Sequence, residues 1–369
     1  MLVEDICKYP ESWQDEISKM QKMAMPIILF GAGNTREFNL QYFRELGIFP
    51  VAFCDNSPSK IGGKVGDLDI LSFDEIKEKY QDAYFYITTQ MYYCELCEQI
   101  MEGGYSSDQI SAFDTIFQLQ WEKECMNYYK EHAEEVEMLY QMLGDERSKQ
   151  VLRNRLLFLR TRERKYALEV RECNQYFSEE LIDFFKIEHF VDLGMYTGDT
   201  VLQFANVTKG HYRMVYGFEP DEVIYRMAQE NLKALSNVTL IKKGVSDCDG
   251  RVRVAQALGV MQTIESGVFG EEGEENSFEI CKLDTYFENQ SVPKAVLKLD
   301  IEGAEMSALR GATQWIKRNK PVIAVCVYHK QEDIFEIPKY INSLGIKYSV
   351  YMRHYSDNQT ETVCYFIPQ

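Results

Sequence analysis

Two α/β units joined by a helical stretch are what this sequence predicts, and three observations predict them. Short apolar runs bounded by Gly, Pro or Asp alternate with amphipathic stretches over residues 1–118, and do so again over 178–369. That alternation is the signature of parallel sheets with right-handed crossovers. Between them, over 119–177, the strand signal vanishes. A length of 369 residues accommodates two or three domains, each with its own core.

In the first unit PIILF (Pro26–Phe30), VAFCD (Val51–Asp55) and AYFYIT (Ala83–Thr88) read as buried strands, because the runs are short, β-rich and sharply bounded. Stretches near 34–46, 72–80 and 91–102 read as the helices between them. The middle region opens with WEKECMNYYKEHAEEVEMLY, which has six Glu and two Lys. Arg147–Arg171 then holds nine basic and two acidic residues, with Leu152, Leu156 and Leu159 on one helical face. This reads as a helical connector whose charged face is solvated.

The last region alternates most clearly. FVDL (Phe190–Leu193), MVYGFE (Met214–Glu219), VTLIKKGVS (Val238–Ser246), AVLKLD (Ala295–Asp300) and PVIAVCVY (Pro321–Tyr328) are the strand candidates. A hairpin of RVRVAQ and SFEICKL, joined by the acidic tract Glu271–Asn276, is expected between the third and fourth. YSVYMRH (Tyr348–His354) and TVCYFIP (Thr362–Pro368) follow one another across a polar turn, so they must pair antiparallel. The expected domains are thus 1–118, 119–177 and 178–369.

Composition narrows the function. Forty basic against 58 acidic residues leave a net charge of -18. Such a field repels phosphate backbones and anionic lipid, which argues against nucleic-acid and membrane-surface binding. No apolar run approaches the roughly 18 residues of a spanning helix, and MLVEDICKYPESW lacks the basic start and apolar stretch of a signal peptide. Ten irregularly spaced cysteines read as reduced thiols. The lone Cys94-x-x-Cys97 pair, with no second pair, does not make a zinc site. A cytoplasmic protein without a membrane span is expected, and a homo-oligomer is compatible with the chain.

The strongest chemical signal is VDLGMYTGDT (Val191–Thr200). A buried strand carries Asp192, a turn with Gly194, Tyr196, Thr197 and Gly198 follows, and a helix begins near Asp199 and Thr200. Glycines there allow close backbone approach, and the new helix presents free N–H groups. The next strand ends in Glu219, where a carboxylate can bind both hydroxyls of a ribose. The turn lacks the triple-Gly spacing of a dinucleotide site, and its Asp suits a cationic ligand without phosphate, so S-adenosylmethionine fits better than NAD. In KLDIEGAE (Lys298–Glu305), Asp300 and Glu302 crowd the same sheet edge, while Glu305 reads as a helix-capping acid. His329 ends the fifth strand at that edge.

These motifs, with GVSD (Gly244–Asp247), KLDIEGAEMSALRGA and AVCVYH, resemble the FkbM-type S-adenosylmethionine-dependent methyltransferases, in family order over 178–369. The resemblance implies a class I methyltransferase that O-methylates a hydroxyl of a saccharide or related small molecule. It places Asp192, Gly194 and Gly198 at the methionine end of the cofactor, Glu219 on the ribose, and Ser246 and Asp247 beside the adenine. DERSKQVLRNRLLFLR and NQYF (Asn174–Phe177) resemble the connector of longer members.

The opening ILFGAGNTREFN (Ile28–Asn39) resembles a truncated dinucleotide fold, with Gly31 and Gly33 in its turn, Asp55 after the next strand, and Arg36 where a third glycine would stand. A nucleotide-sugar is the ligand it suggests. Two alternatives stand beside methyl transfer. One is a sugar-nucleotide oxidoreductase or epimerase, which would want a Tyr-x-x-x-Lys pair that none of the 24 tyrosines supplies. The other is a nucleotide-sugar-binding protein with a non-catalytic methyltransferase-like fold. For methyl transfer, His329 is the expected base, with an ordinary pKa near 6.5, and Asp300 and Glu302 position the acceptor.

Overall fold

The computed structural model describes every residue except 90–91, 115–118, 255–263 and 270–276. The chain divides into two compact units. The first comprises 1–137, 150–171 and 356–359, the second 138–149, 172–355 and 360–369. Among the described residues no helix is long and apolar enough to cross a membrane.

The first unit is built on β1 (Ile27–Phe30), β2 (Ala52–Cys54), β3 (Lys64–Val65), β4 (Leu68–Leu71) and β5 (Tyr84–Ile87), in spatial order β3-β4-β2-β1-β5. All neighbours are parallel except the short β3–β4 pair. In β1, Ile27 and Leu29 face a core with Trp13, Phe43 and Tyr86, whereas Ile28 and Phe30 face another with Phe73, Phe85 and Ile100. Burial on both faces is why these strands read as unbroken apolar runs. Helices Arg36–Glu45, Phe73–Lys79 and Tyr93–Glu102 lie where the sequence places them.

The helical region corrects one expectation. Leu152, Leu156 and Leu159 are buried in helix Glu146–Thr161, as their spacing requires. Arg162 and Arg164 are not on a solvated face, however. The helix ends at Thr161, Arg162 turns to φ +64°, and both guanidiniums point inward. Arg162 meets Asp114 at 3.1 Å, and Arg164 meets Asp114 at 2.7 Å and Asp357 at 2.9 Å, all four side chains being buried. Charge counts along the chain cannot reveal such a centre, because the partner acids come from distant segments.

The second unit carries β6 (His189–Leu193), β7 (Met214–Phe218), β8 (Val238–Ile241), β9 (Gly244–Val245), β10 (Gly250–Val254), β11 (Ile264–Phe269), β12 (Ser277–Cys281), β13 (Ala295–Leu299), β14 (Val322–Cys326), β15 (Tyr348–His354) and β16 (Thr362–Pro368). Seven of them form one sheet, ordered β15-β16-β14-β13-β6-β7-β8. It is parallel except that β16 runs antiparallel to both β14 and β15. The predicted α/β class and reversed ending are therefore present.

Two details differ from expectation. VTLIKKGVS is not one strand: it breaks at Lys242–Lys243, so that β8 stays in the large sheet and β9 joins a smaller one. The RVRVAQ–SFEICKL pairing exists as β10–β12, but β11 intervenes in sequence and pairs on the other side of β10. The tract Glu271–Asn276 lies outside the described residues.

Candidate active site

The carboxyl ends of β6, β7, β13 and β14 share one edge of the large sheet, the edge where open α/β sheets bind ligands. β6 and β13 are adjacent and in register, so the turn after Leu193 runs against Asp300. Gly194 has φ +79°, and a Cβ there would stand 1.9 Å from the Asp300 carbonyl oxygen. Gly198 has φ +87°, and its Cβ would meet Leu232 at 2.7 Å. Both glycines are thus required by the protein's own close packing, a reason different from the ligand approach expected.

Asp192 is fully buried and engaged within the protein. One oxygen lies 3.0 Å from Lys298 Nζ, and the other accepts the Thr200 hydroxyl. Lys298, buried in β13, also donates to the Gly194 carbonyl at 2.6 Å. Burial opposes its charge, but Asp192 and Asp300 hold its pKa above the ordinary lysine value. The charge of Asp192 is therefore matched inside the turn; it is not displayed to a ligand.

Glu219, just past β7, is buried beside this turn, with its Oε1 accepting the Asp221 N–H at 2.9 Å. Burial raises its pKa to about 7 despite that hydrogen bond. Tyr196 stands exposed on the turn at φ +48°, and the Thr197 carbonyl accepts Asn231 Nδ2 at 2.9 Å. Ser246 and Asp247 follow β9, where their backbone packs directly on Gly311.

The second cluster is at the ends of β13 and β14. The His329 side chain is 2% exposed. Its Nε2 faces Asp300 Oδ1 at 3.6 Å and Glu302 Oε2 at 3.7 Å, and its Nδ1 lies 3.0 Å from Glu305 Oε1. Burial alone would lower the imidazole pKa. The Glu305 carboxylate, with Asp300 and Glu302, overrides it and raises the value to about 9. The three carboxylates around His329 thus favour its protonated form, against the ordinary titration expected of it.

Asp300 is also gripped from behind, its Oδ2 accepting the Tyr176 hydroxyl at 2.8 Å. Tyr328 bridges towards it, donating to Glu361 Oε1 at 3.2 Å. Glu302, in a left-handed turn at φ +54°, keeps half its side chain exposed.

In the first unit, Asp55 meets the Gly31–Gly33 turn. Its Oδ2 accepts the Ala32 N–H at 2.7 Å and Lys60 Nζ at 3.0 Å, and its Oδ1 accepts the Ser57 N–H at 2.8 Å. Three of a carboxylate's roughly four acceptor positions are thus used within the protein, one on the turn and two on the loop after β2.

Residues 192–348 match the family model described as the methyltransferase FkbM domain. Over that span the chain is similar to the FkbM methyltransferase domain. Residues 23–111 match a second family model, described as C2185-like, N-terminal. No curated protein matches the chain. Among solved structures, methyltransferase FkbM from Methylobacillus flagellatus KT is similar over 99% of this chain and 97% of its own, at 22% identity and a TM-score of 0.70. At that identity the likeness is one of fold. Aeropyrum pernix fibrillarin, solved with bound S-adenosyl-L-methionine, is similar at 12% identity over 51% of this chain and 70% of its own, with a TM-score of 0.32.

Several groups in the FkbM domain's site escaped the sequence reading. Glu305 stands in the first turn of its helix, as read, but makes no capping hydrogen bond; its Oε1 accepts the Ile301 N–H at 2.8 Å and its carboxylate turns to His329. Lys298 had a visible signal, a charged residue inside an apolar strand. Tyr176 and Glu361 lie outside the span matched to the family model, and only the fold brings them to Asp300 and Tyr328.

Proposed function

We propose that the FkbM domain transfers a methyl group from S-adenosylmethionine to a hydroxyl of a saccharide or a related small acceptor. The observation that carries this reading is Glu219: a buried carboxylate at the carboxyl edge of β7, beside a glycine turn whose nearby cation is already matched. Lys298 is committed to Asp192 and the Gly194 carbonyl, so the turn offers no spare positive charge for a pyrophosphate. A nucleoside without phosphates fits this arrangement, with Glu219 on the ribose and Asp192, Gly194, Tyr196, Thr197, Gly198 and Thr200 forming the turn beside it. Ser246 and Asp247 keep their proposed place near the adenine.

When bound, S-adenosylmethionine supplies a methyl group on a sulfonium, which needs no acid to leave. The demand then falls on the acceptor. A hydroxyl is a weak nucleophile at neutral pH, and its proton must depart as the new bond forms. His329, Asp300 and Glu302 orient that oxygen and take up the charge change, with Glu302 at the solvent side and Tyr176 fixing Asp300. Residues 178–369 serve as the methyltransferase domain and 119–177 as connecting helices. Residues 1–118 hold the acceptor or a nucleotide-linked carrier of it at the Gly31–Gly33 turn, near Lys60.

Calorimetry on the full chain tests the cofactor: S-adenosylhomocysteine is expected to bind and NAD is not. Labelled S-adenosylmethionine with a panel of cell-envelope glycans and nucleotide-sugars tests the acceptor. Label on nitrogen acceptors alone, or NAD binding without the adenosyl ligand, would overturn the reading.

A further inference from the structure

We propose that the edge of β13 and β14 is a binding site for a divalent first-row metal ion, held by Asp300, Glu305 and His329, with Glu302 at its rim. Three observations lead there. The first is spacing. One potential ligand atom from each of Asp300, Glu305 and His329 lies within 4.8 Å of the other two. Donors bonded at about 2.0–2.2 Å to one ion stand at most slightly over 4 Å apart, so the three groups are close to a shared sphere without any backbone change. The separations of 3.6 and 3.7 Å from His329 Nε2 to Asp300 and Glu302 are too long for hydrogen bonds, yet natural for neighbouring ligands of one cation.

The second is unmet polarity. Glu305 is 0% exposed, and its Oε2 has no hydrogen-bond partner. His329 Nδ1, although 3.0 Å from Glu305 Oε1, is not aligned for a hydrogen bond and is likewise left without one. A buried carboxylate oxygen with nothing to accept is costly, and a cation coordinated by Glu305 removes that cost. The place of Glu305 in the first turn of its helix leaves that Oε2 without a partner all the same.

The third is charge and rigidity. One imidazole faces three carboxylates. The nearby buried cation, Lys298, is paired with Asp192. Meanwhile the ligating groups are held from behind: Asp300 by the Tyr176 hydroxyl and Glu305 by the Ile301 N–H. Such outer contacts are what orient metal ligands. One nitrogen with two or three carboxylate oxygens suits manganese, iron or zinc in the divalent state better than the all-oxygen surroundings calcium favours.

Resting on the methyltransferase reading above, the cation has a chemical use. An acceptor hydroxyl that joins its coordination sphere is acidified, and its proton is lost to water before or during attack on the methyl group. His329 is then a ligand, and Glu302 is free to close over the bound oxygen.

The test uses the full chain, stripped with chelator and without cofactor or acceptor. Titration with Mn²⁺, followed by the paramagnetic resonance of the free ion, is expected to show one ion per chain. Glu305→Gln and His329→Ala should each weaken binding about tenfold or more. S-adenosylhomocysteine binding in the same variants reports that they are folded, and the half-exposed Glu302→Gln gives a milder third variant. If the wild-type protein binds neither Mn²⁺ nor Zn²⁺ at millimolar concentration, the proposal fails. It also fails if variants that still bind S-adenosylhomocysteine take up Mn²⁺ as tightly as the wild type. Mn²⁺ uptake lost in the variants, in a protein that ignores the adenosyl ligand, would keep the metal site and overturn the cofactor reading.

Discussion

Glu219 has to be both buried and ready to ionise, and that tension can be measured. Burial brings its pKa from the ordinary 4.5 to about 7. A raised carboxyl stabilises the folded chain fully below the unfolded value, and that contribution is lost as pH rises through the folded one. A shift of this size is of the order of 3 kcal/mol. Glu219→Gln removes the titration, so the melting temperature of the wild type minus that of the variant should fall between about pH 5 and about pH 8. A difference that stays flat, or grows, would show that the carboxyl is not raised. Single residues were also where the sequence was hardest to read. Asp192 and Glu219 could be placed by motif, but whether a charge is displayed or matched depends on its neighbour. For Asp192 that neighbour is Lys298, three strand-forming segments further along the large sheet's connectivity.

At the scale of elements, the turn after β6 shows how one strand end fixes another. Gly194→Ala places a Cβ on the Asp300 carbonyl, at a backbone angle that only glycine adopts easily. We expect a loss of roughly 3 kcal/mol or more in urea unfolding. Gly33→Ala is the control: its added Cβ meets nothing within 4 Å, and it should be nearly neutral. Equal costs for the two would contradict the packing argument. Elements were also the most legible level. β1, β2, β5, β6, β7, β13 and β14 announced themselves as apolar runs, because both faces of each sheet are covered, and β15 and β16 did so because only a turn separates them. β3 and β9, at two residues each, are too short to leave a periodic signal, and β4 buries only Ile70, its run being broken by the exposed Asp69. Glu305 looked like a cap because its direction is set by the Ile301 N–H and His329, neither of which its position in the sequence declares.

For the whole molecule, the compact units do not follow the order of the chain. Asp114 is 0% exposed, and its partners Arg162 and Arg164 arrive only after the helical region. A fragment of residues 1–118 therefore keeps a buried carboxylate and loses both guanidiniums, a defect worth about 3–5 kcal/mol. Circular dichroism should show it melting without cooperativity, or far below the full chain; a sharp transition at the full chain's temperature would refute this. The same unit also takes residues 356–359, with Arg155 donating to the Gln359 carbonyl and Arg164 paired to Asp357. A ribosome releases Asp114 and the arginines well before Asp357. The unit that holds Asp114 must therefore wait, incompletely sealed, for a segment 193 residues beyond Arg164. A premature stop before residue 356 would injure a unit built mostly from earlier residues, and quality control during synthesis would meet that unit half-finished on every copy.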